Sequence, residues 1–222
     1  MSAARARLAA LSVAAAIGGI TTAVAGAPAA LVPYERLARS PAAPRLLAVA
    51  RSAMLAHWDS ASAAPDTSRI PDWPGEPVAL YVTLADGPRT RACVGTPAPM
   101  RGSLVETIRA LAVQALAADP RHPPLRRDEL DRLRVAIAFA DQGEAIADPM
   151  RVDPGREGLL VSGPRGSIAY LPGEARTVRW ALTEARRSGL LAGAAPTYRR
   201  FHAVVIAESP TRSTPESTDD PD

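Results

Sequence analysis

The sequence predicts an α+β fold: a single domain with a mostly antiparallel sheet and helices packed on it. Two patterns carry this. Runs of β-forming residues outnumber amphipathic helical stretches, and most neighbouring runs are joined by short turns, whereas a doubly wound parallel sheet needs long crossovers. Composition agrees. With 222 residues, 47% hydrophobic and 22% charged, the chain suits one ordinary domain with appendages and is not wholly disordered. Aromatic residues are only 4%, so Ala, Val, Leu and Ile must fill the core.

In chain order, residues 45–58 place Leu47, Ala50, Met54 and Trp58 on one helical face, with Leu46 and Ala53 beside them. Residues 60–73 are rich in Ser, Ala, Pro and Asp and read as a loop. A strand over 78–84 ends at the turn Ala85-Asp86-Gly87, and a second around 91–94 folds back on it as a hairpin. Ser103 and Glu106 have capping-box spacing and open a helix over 103–117 with Leu104, Ile108 and Leu111 inward; it stops before Asp119-Pro120. A stiff Pro-flanked loop over 120–124 and a short helical turn over 127–133 lead into a strand over 134–139. Strands over 158–161 and 167–171 pair through a Gly-Pro turn. Residues 174–188 form a helix with Val178, Leu182 and Ala185 inward, and 201–207 form the final strand. These strands are expected to share one sheet.

The ends differ from this middle. Arg5 and Arg7 precede an apolar run over 8–24 and a small-x-small site at Ala23-Val24-Ala25, so residues 1–40 read as a signal peptide, or an uncleaved membrane anchor, plus linker. An Ala-rich leader without targeting function is the rival reading. The expected location is periplasmic or extracellular, or membrane-anchored through that segment, with the cytoplasm as the alternative. Residues 41–208 carry the folded pattern, and 209–222 read as a disordered acidic tail.

Composition also excludes chemistry. All 26 Lys+Arg residues are Arg, so lysine Schiff bases and a Walker lysine are ruled out. A single cysteine, Cys93, rules out an intramolecular disulfide and a cysteine-only metal cage. No HExxH, GxSxG or dinucleotide fingerprint is present, so no metal site is assigned and the cofactor stays unknown. With a net charge of +3 and scattered arginines, no specific nucleic-acid signal stands out. The richest segment is Arg91-Ala92-Cys93-Val94-Gly95-Thr96-Pro97. It sets the thiol at a strand end with Arg91 two residues away on the same face, a placement that lowers a thiol pKa. The competing reading is a packed core cysteine. A base would come from His57, His122 or His202, of which His122 lies in the most site-like loop, and no spacing ties any of them to Cys93.

Taken together, several segments resemble the AMMECR family, which also supplies protein A of bacterial AmmeMemoRadiSam systems. RLLAVARSAM (45–54), LYVTL (80–84) and RACVGTPAPM (91–100) match in order, the last resembling the signature LRGCIG. DPRHPPLRRDEL (119–130) is similar to DxRFPPLxxxEL, GREGLLV (155–161) to GxHGIxI, and AYLPGEA (169–175) to TYLPEVA. The resemblance runs from about 46 to 208. Arg91, Cys93, Gly95, Thr96, Tyr170 and Pro172 are kept, while Ala92 replaces Gly, His122 replaces Phe, Glu157 stands in place of His and Gly173 in place of Glu. Such changes read as a retuned or degenerate site. The resemblance implies one cleft where these segments meet. It makes Cys93, Arg91 and Glu157 catalytic candidates and Thr96, Asp119, Arg121, His122 and Tyr170 binding candidates, with Arg91 paired to Asp119 or Glu157. Because proton transfer would need the His and Glu that Glu157 and Gly173 replace, the preferred reading is a ligand- or partner-binding module using the cleft around Arg91 and Cys93. A cysteine-dependent enzyme or a component of a radical-SAM/Memo-associated modification system, and a purely structural role for Arg91 and Cys93, are the other readings. The implied partners are a Memo-like or radical-SAM protein and an unknown small ligand.

Overall fold

A computed structural model describes residues 28–59, 65–98, 102–193 and 195–209. The apolar run over 8–24 and the acidic residues beyond 209 lie outside the described residues. Among the described residues no helix is long and apolar enough to cross a membrane.

Packing begins upstream of residue 41, where a linker was expected. Helix α1 (Val32–Ala38) and the turn before it bury Leu31, Tyr34 and Leu37 in the main core. Helix α2 (Ala42–Trp58) starts three residues ahead of its predicted position because Pro44 sits in its first turn, where the N–H that proline lacks would have no helical partner. Leu46, Leu47, Ala50 and Met54 are buried, but Trp58 is exposed on the last turn.

Strands β1 (Ala79–Asp86) and β2 (Arg89–Thr96) form the expected hairpin, turned at Gly87 with φ 55°. Helix α3 (Leu104–Gln114) is capped as predicted: the Ser103 hydroxyl accepts the Glu106 N–H at 3.1 Å, and Leu104, Ile108 and Leu111 are buried. A short α4 (Arg127–Leu130) precedes β3 (Arg134–Ala140), and β4 (Glu144–Ile146) follows. Then come the hairpin β5 (Gly158–Gly163) and β6 (Gly166–Tyr170), helix α5 (Val178–Arg187), β7 (Thr197–Phe201) and β8 (Ala203–Ala207). Thr177 caps α5, so residues 174–177 lie ahead of the helix, the first of them closing a turn over 172–174, rather than forming the predicted helix start.

The α+β class holds, but the strands make two antiparallel sheets, β2-β1-β3-β8 and β4-β7-β5-β6, instead of one. The predicted last strand breaks at His202. Its N–H goes to the Asp141 carboxylate at 3.0 Å rather than to a neighbouring strand, and there the chain steps from the second sheet to the first.

Strand alternation then separates three cores. Leu80, Val82 and Leu84, with Val135, Ile137 and Phe139, face α2 and α3. Leu159, Val161, Ile168 and Tyr170 face α5. Between the sheets lie Ala79, Tyr81, Ala138 and Ala140 from one side and Leu171 and Phe201 from the other. Tyr81 and Phe201 stack with centroids 6.1 Å apart. Each ring lies over the glycine directly across its strand pair, Gly95 and Gly158, where an added Cβ would come within 2.2 Å of the ring.

Candidate functional site

Between β2 of the first sheet and β5–β6 of the second lies a cleft of about 180 Å³, floored by Cys93 and Gly95 and walled by Tyr81, Arg121, Leu160 and Ala169. Both β2 and β6 are edge strands, so each carries backbone groups without a strand partner. One buried cluster satisfies a donor on each edge. Asp119 accepts the Cys93 N–H at 2.8 Å, and Glu174 accepts the Leu171 N–H at 2.9 Å. Arg121 joins the two carboxylates. Its Nε and Nη2 donate to Asp119 at 3.0 and 2.9 Å, and Nη1 donates to Glu174 at 3.0 Å. The side chains of Asp119, Arg121 and Glu174 are only 1%, 10% and 7% exposed, and the guanidinium rides over the Tyr170 ring. This Asp119–Arg121–Glu174 clamp ties the two sheets together across the end of the cleft.

Its electrostatics follow from burial and pairing. Burial alone would raise the Asp119 pKa, but hydrogen bonds from Arg121 and from the Cys93 N–H outweigh it and hold the carboxyl below its ordinary value. A carboxylate with a depressed folded pKa contributes stability that is complete above its unfolded pKa of about 4 and is lost as pH falls through the folded value. Urea midpoints should therefore drop below about pH 4, and Asp119→Asn should flatten that acid limb. For Cys93 the balance runs the other way. Packing around the sulfur, and then the Glu174 charge, push the thiol up to about 12 against the Thr83 hydroxyl (3.3 Å) and Arg121. The thiol is neutral at physiological pH.

A sequence profile of the AMMECR1 family matches residues 47–201. The chain belongs to the AMMECR1 family. A protein of Aeropyrum pernix is 36% identical over 115 residues, 48% of this chain and 49% of that one. One from Thermotoga maritima is 37% identical over 83 residues, 36% of this chain and 47% of that one. The chain thus spans about half the length of the curated relatives it matches. A crystal structure of an uncharacterized protein from Pyrococcus horikoshii shares the fold, with TM-score 0.56 and 24% identity over 75% of this chain and 91% of that one.

In this AMMECR1 domain the predicted residues divide. Cys93, Asp119 and Arg121 meet at the cleft, and Tyr170 lies beneath Arg121 on the α5 side. Arg91 stands apart. Leu84 faces Ala92 and Ala85 faces Thr90, so Arg91 is the extra residue of a β-bulge, which breaks the alternation that was to align it with Cys93. Its guanidinium donates to both oxygens of Glu129, at 2.9 and 3.2 Å, and to the Pro123 carbonyl, so it pairs with neither Asp119 nor Glu157. Glu157 is not a lining residue either: it accepts the Asp153 N–H at 2.9 Å and pairs with Arg200 at 3.3 Å. Thr96 closes a local turn onto Ala98. His122 sits beside the clamp without lining the cleft, and burial keeps its pKa below the ordinary value. His57 is exposed, and His202 lies at the β7–β8 corner against Asp141. Among the described residues no group of three or more His, Cys, Asp or Glu is placed to hold a metal ion.

The clamp residue that sequence reasoning missed is Glu174. Its signal was present in AYLPGEA: the carboxylate expected at 173 appears one residue later, after Gly173, whose φ of 82° makes the turn.

Proposed function

We propose that this AMMECR1 domain is a binding module whose cleft recognises a neutral group, with Cys93 as an uncharged contact rather than a nucleophile. One observation carries this reading: the charges at the cleft are spent on each other inside the Asp119–Arg121–Glu174 clamp. Thiolate catalysis needs a lowered pKa and a base within reach. Cys93 has a raised pKa, and its side-chain hydrogen-bond partner is the Thr83 hydroxyl. Memo-like and radical-SAM proteins, the partners implied by the resemblance, are the first proteins to try.

The test is amide-shift mapping with a library of small neutral amides and alcohols. Reversible shifts clustered at Cys93, Gly95 and Ala169, and lost in Cys93→Phe, which fills the cleft, are expected. Shifts elsewhere, none at all, or a stable covalent adduct on Cys93 would overturn the reading.

A further inference from the structure

The β5–β6 hairpin closes on Gly163 and Gly166 around the two-residue turn Pro164-Arg165. That pair is hydrogen-bonded, so by antiparallel alternation Val161–Ile168 and Leu159–Tyr170 are bonded too. Ser167 and Ala169 therefore turn their N–H and C=O groups away from β5, along the free edge of β6. The next outward N–H, that of Leu171, is taken by Glu174. On the facing edge the same rule applies. The Cys93 N–H points outward to Asp119, and Gly95, two residues on, presents the next outward pair. Among the described residues the outward backbone groups of Ser167, Ala169 and Gly95 have no hydrogen-bond partner. The clamp thus seals one end of both edges and leaves the rest of each open, and all three residues border the cleft.

Resting on the binding reading above, we propose that the ligand is an extended peptide segment of a partner protein, which adds to β6 at Ser167 and Ala169 and sets a side chain beside Cys93. Alternate residues of one strand lie about 6.6–6.8 Å apart, a repeat that an extended chain reproduces with its own backbone. Side chains of an added strand alternate, so one of each pair enters the layer between the sheets. There the 180 Å³ cleft, its charges internally paired and its walls formed by Tyr81 and Leu160, suits a small neutral side chain. A second copy pairing through its own β6 would bring only Ser167 and Ala169 side chains and leave the cleft unfilled.

The test pans a display library of random linear peptides against the full chain, then measures the enriched peptides by fluorescence anisotropy and amide hydrogen exchange. Binding should slow exchange at Ser167 and Ala169. Ala169→Pro deletes one outward donor without touching the bonds to β5, so it should weaken binding about tenfold with an unchanged melting temperature. If that variant fails to fold, the exchange pattern of the wild type decides. Enriched peptides that protect other amides, or bind Ala169→Pro equally well, overturn edge pairing. Protection at Ser167 and Ala169 with dimer formation and no peptide assigns the edge to a second copy and also overturns it. If neutral fragments bind the cleft but no peptide is enriched, this inference fails and the binding reading stands. If neither binds, both fail.

Discussion

Arg121→Met is expected to destabilise the domain by about 3–5 kcal/mol, because it leaves two buried carboxylates without their counter-charge. Asp119 and Glu174 have side chains only 1% and 7% exposed, and each also accepts a backbone N–H, from Cys93 in the edge strand β2 and from Leu171 just after the edge strand β6. Neither can turn to water without giving up that bond. Removing the cation therefore forces one carboxylate to take up a proton or the cluster to open, and either outcome loosens the loop at 119–121 from the sheets. Arg121→Lys keeps the charge but cannot reproduce the forked contact to Asp119 together with the bond to Glu174, so it should fall between the two. Urea unfolding of the three proteins checks the order. A loss below about 1 kcal/mol for Arg121→Met would place the clamp among ordinary surface ion pairs.

Gly158→Ala should be the next most damaging change. The added Cβ would stand 2.2, 2.3 and 2.6 Å from atoms of the Phe201 ring, which is itself stacked on Tyr81 between the sheets. Overpacking of this kind costs about 1–3 kcal/mol, and a domain of this size loses about 2–4 °C of melting temperature per kcal/mol. Gly155, in the same motif, is the control: its Cβ would meet nothing nearer than the Asp153 carboxylate at 3.3 Å, so Gly155→Ala should melt within about 2 °C of wild type. Equal melting temperatures for the two variants would mean that the sheets are not held apart by this aromatic stack.

These expectations show where sequence was informative. The Ser103 cap, the apolar face of α3 and the hairpin at Gly87 rest on contacts within a few residues, and each was legible. The division into two sheets was not, because it turns on the His202 N–H meeting Asp141, 61 positions away. Arg91 was misplaced for a similar reason. Strand alternation assigns it to the face of Cys93, and a bulge, set by the register against β1, sends it instead to Glu129. Glu157 looked like a site residue because its motif reaches the cleft, yet its carboxylate is held by Arg200 on β7. Asp119 and Arg121 were found, but that they pair with each other and with Glu174 depended on the turn at Gly173.

The most direct test of the account is the ionisation of Cys93 in the folded protein, read as the pH dependence of its alkylation by iodoacetamide with the urea-unfolded chain as reference. The unfolded chain should show the ordinary thiol step at about pH 8.5. The folded protein should show no step there, reacting slowly up to the alkaline limit of the native state, since its thiol is pushed up to about 12. A step in the folded protein at or below about pH 8.5 would contradict the account and return Cys93 to the role of a nucleophile.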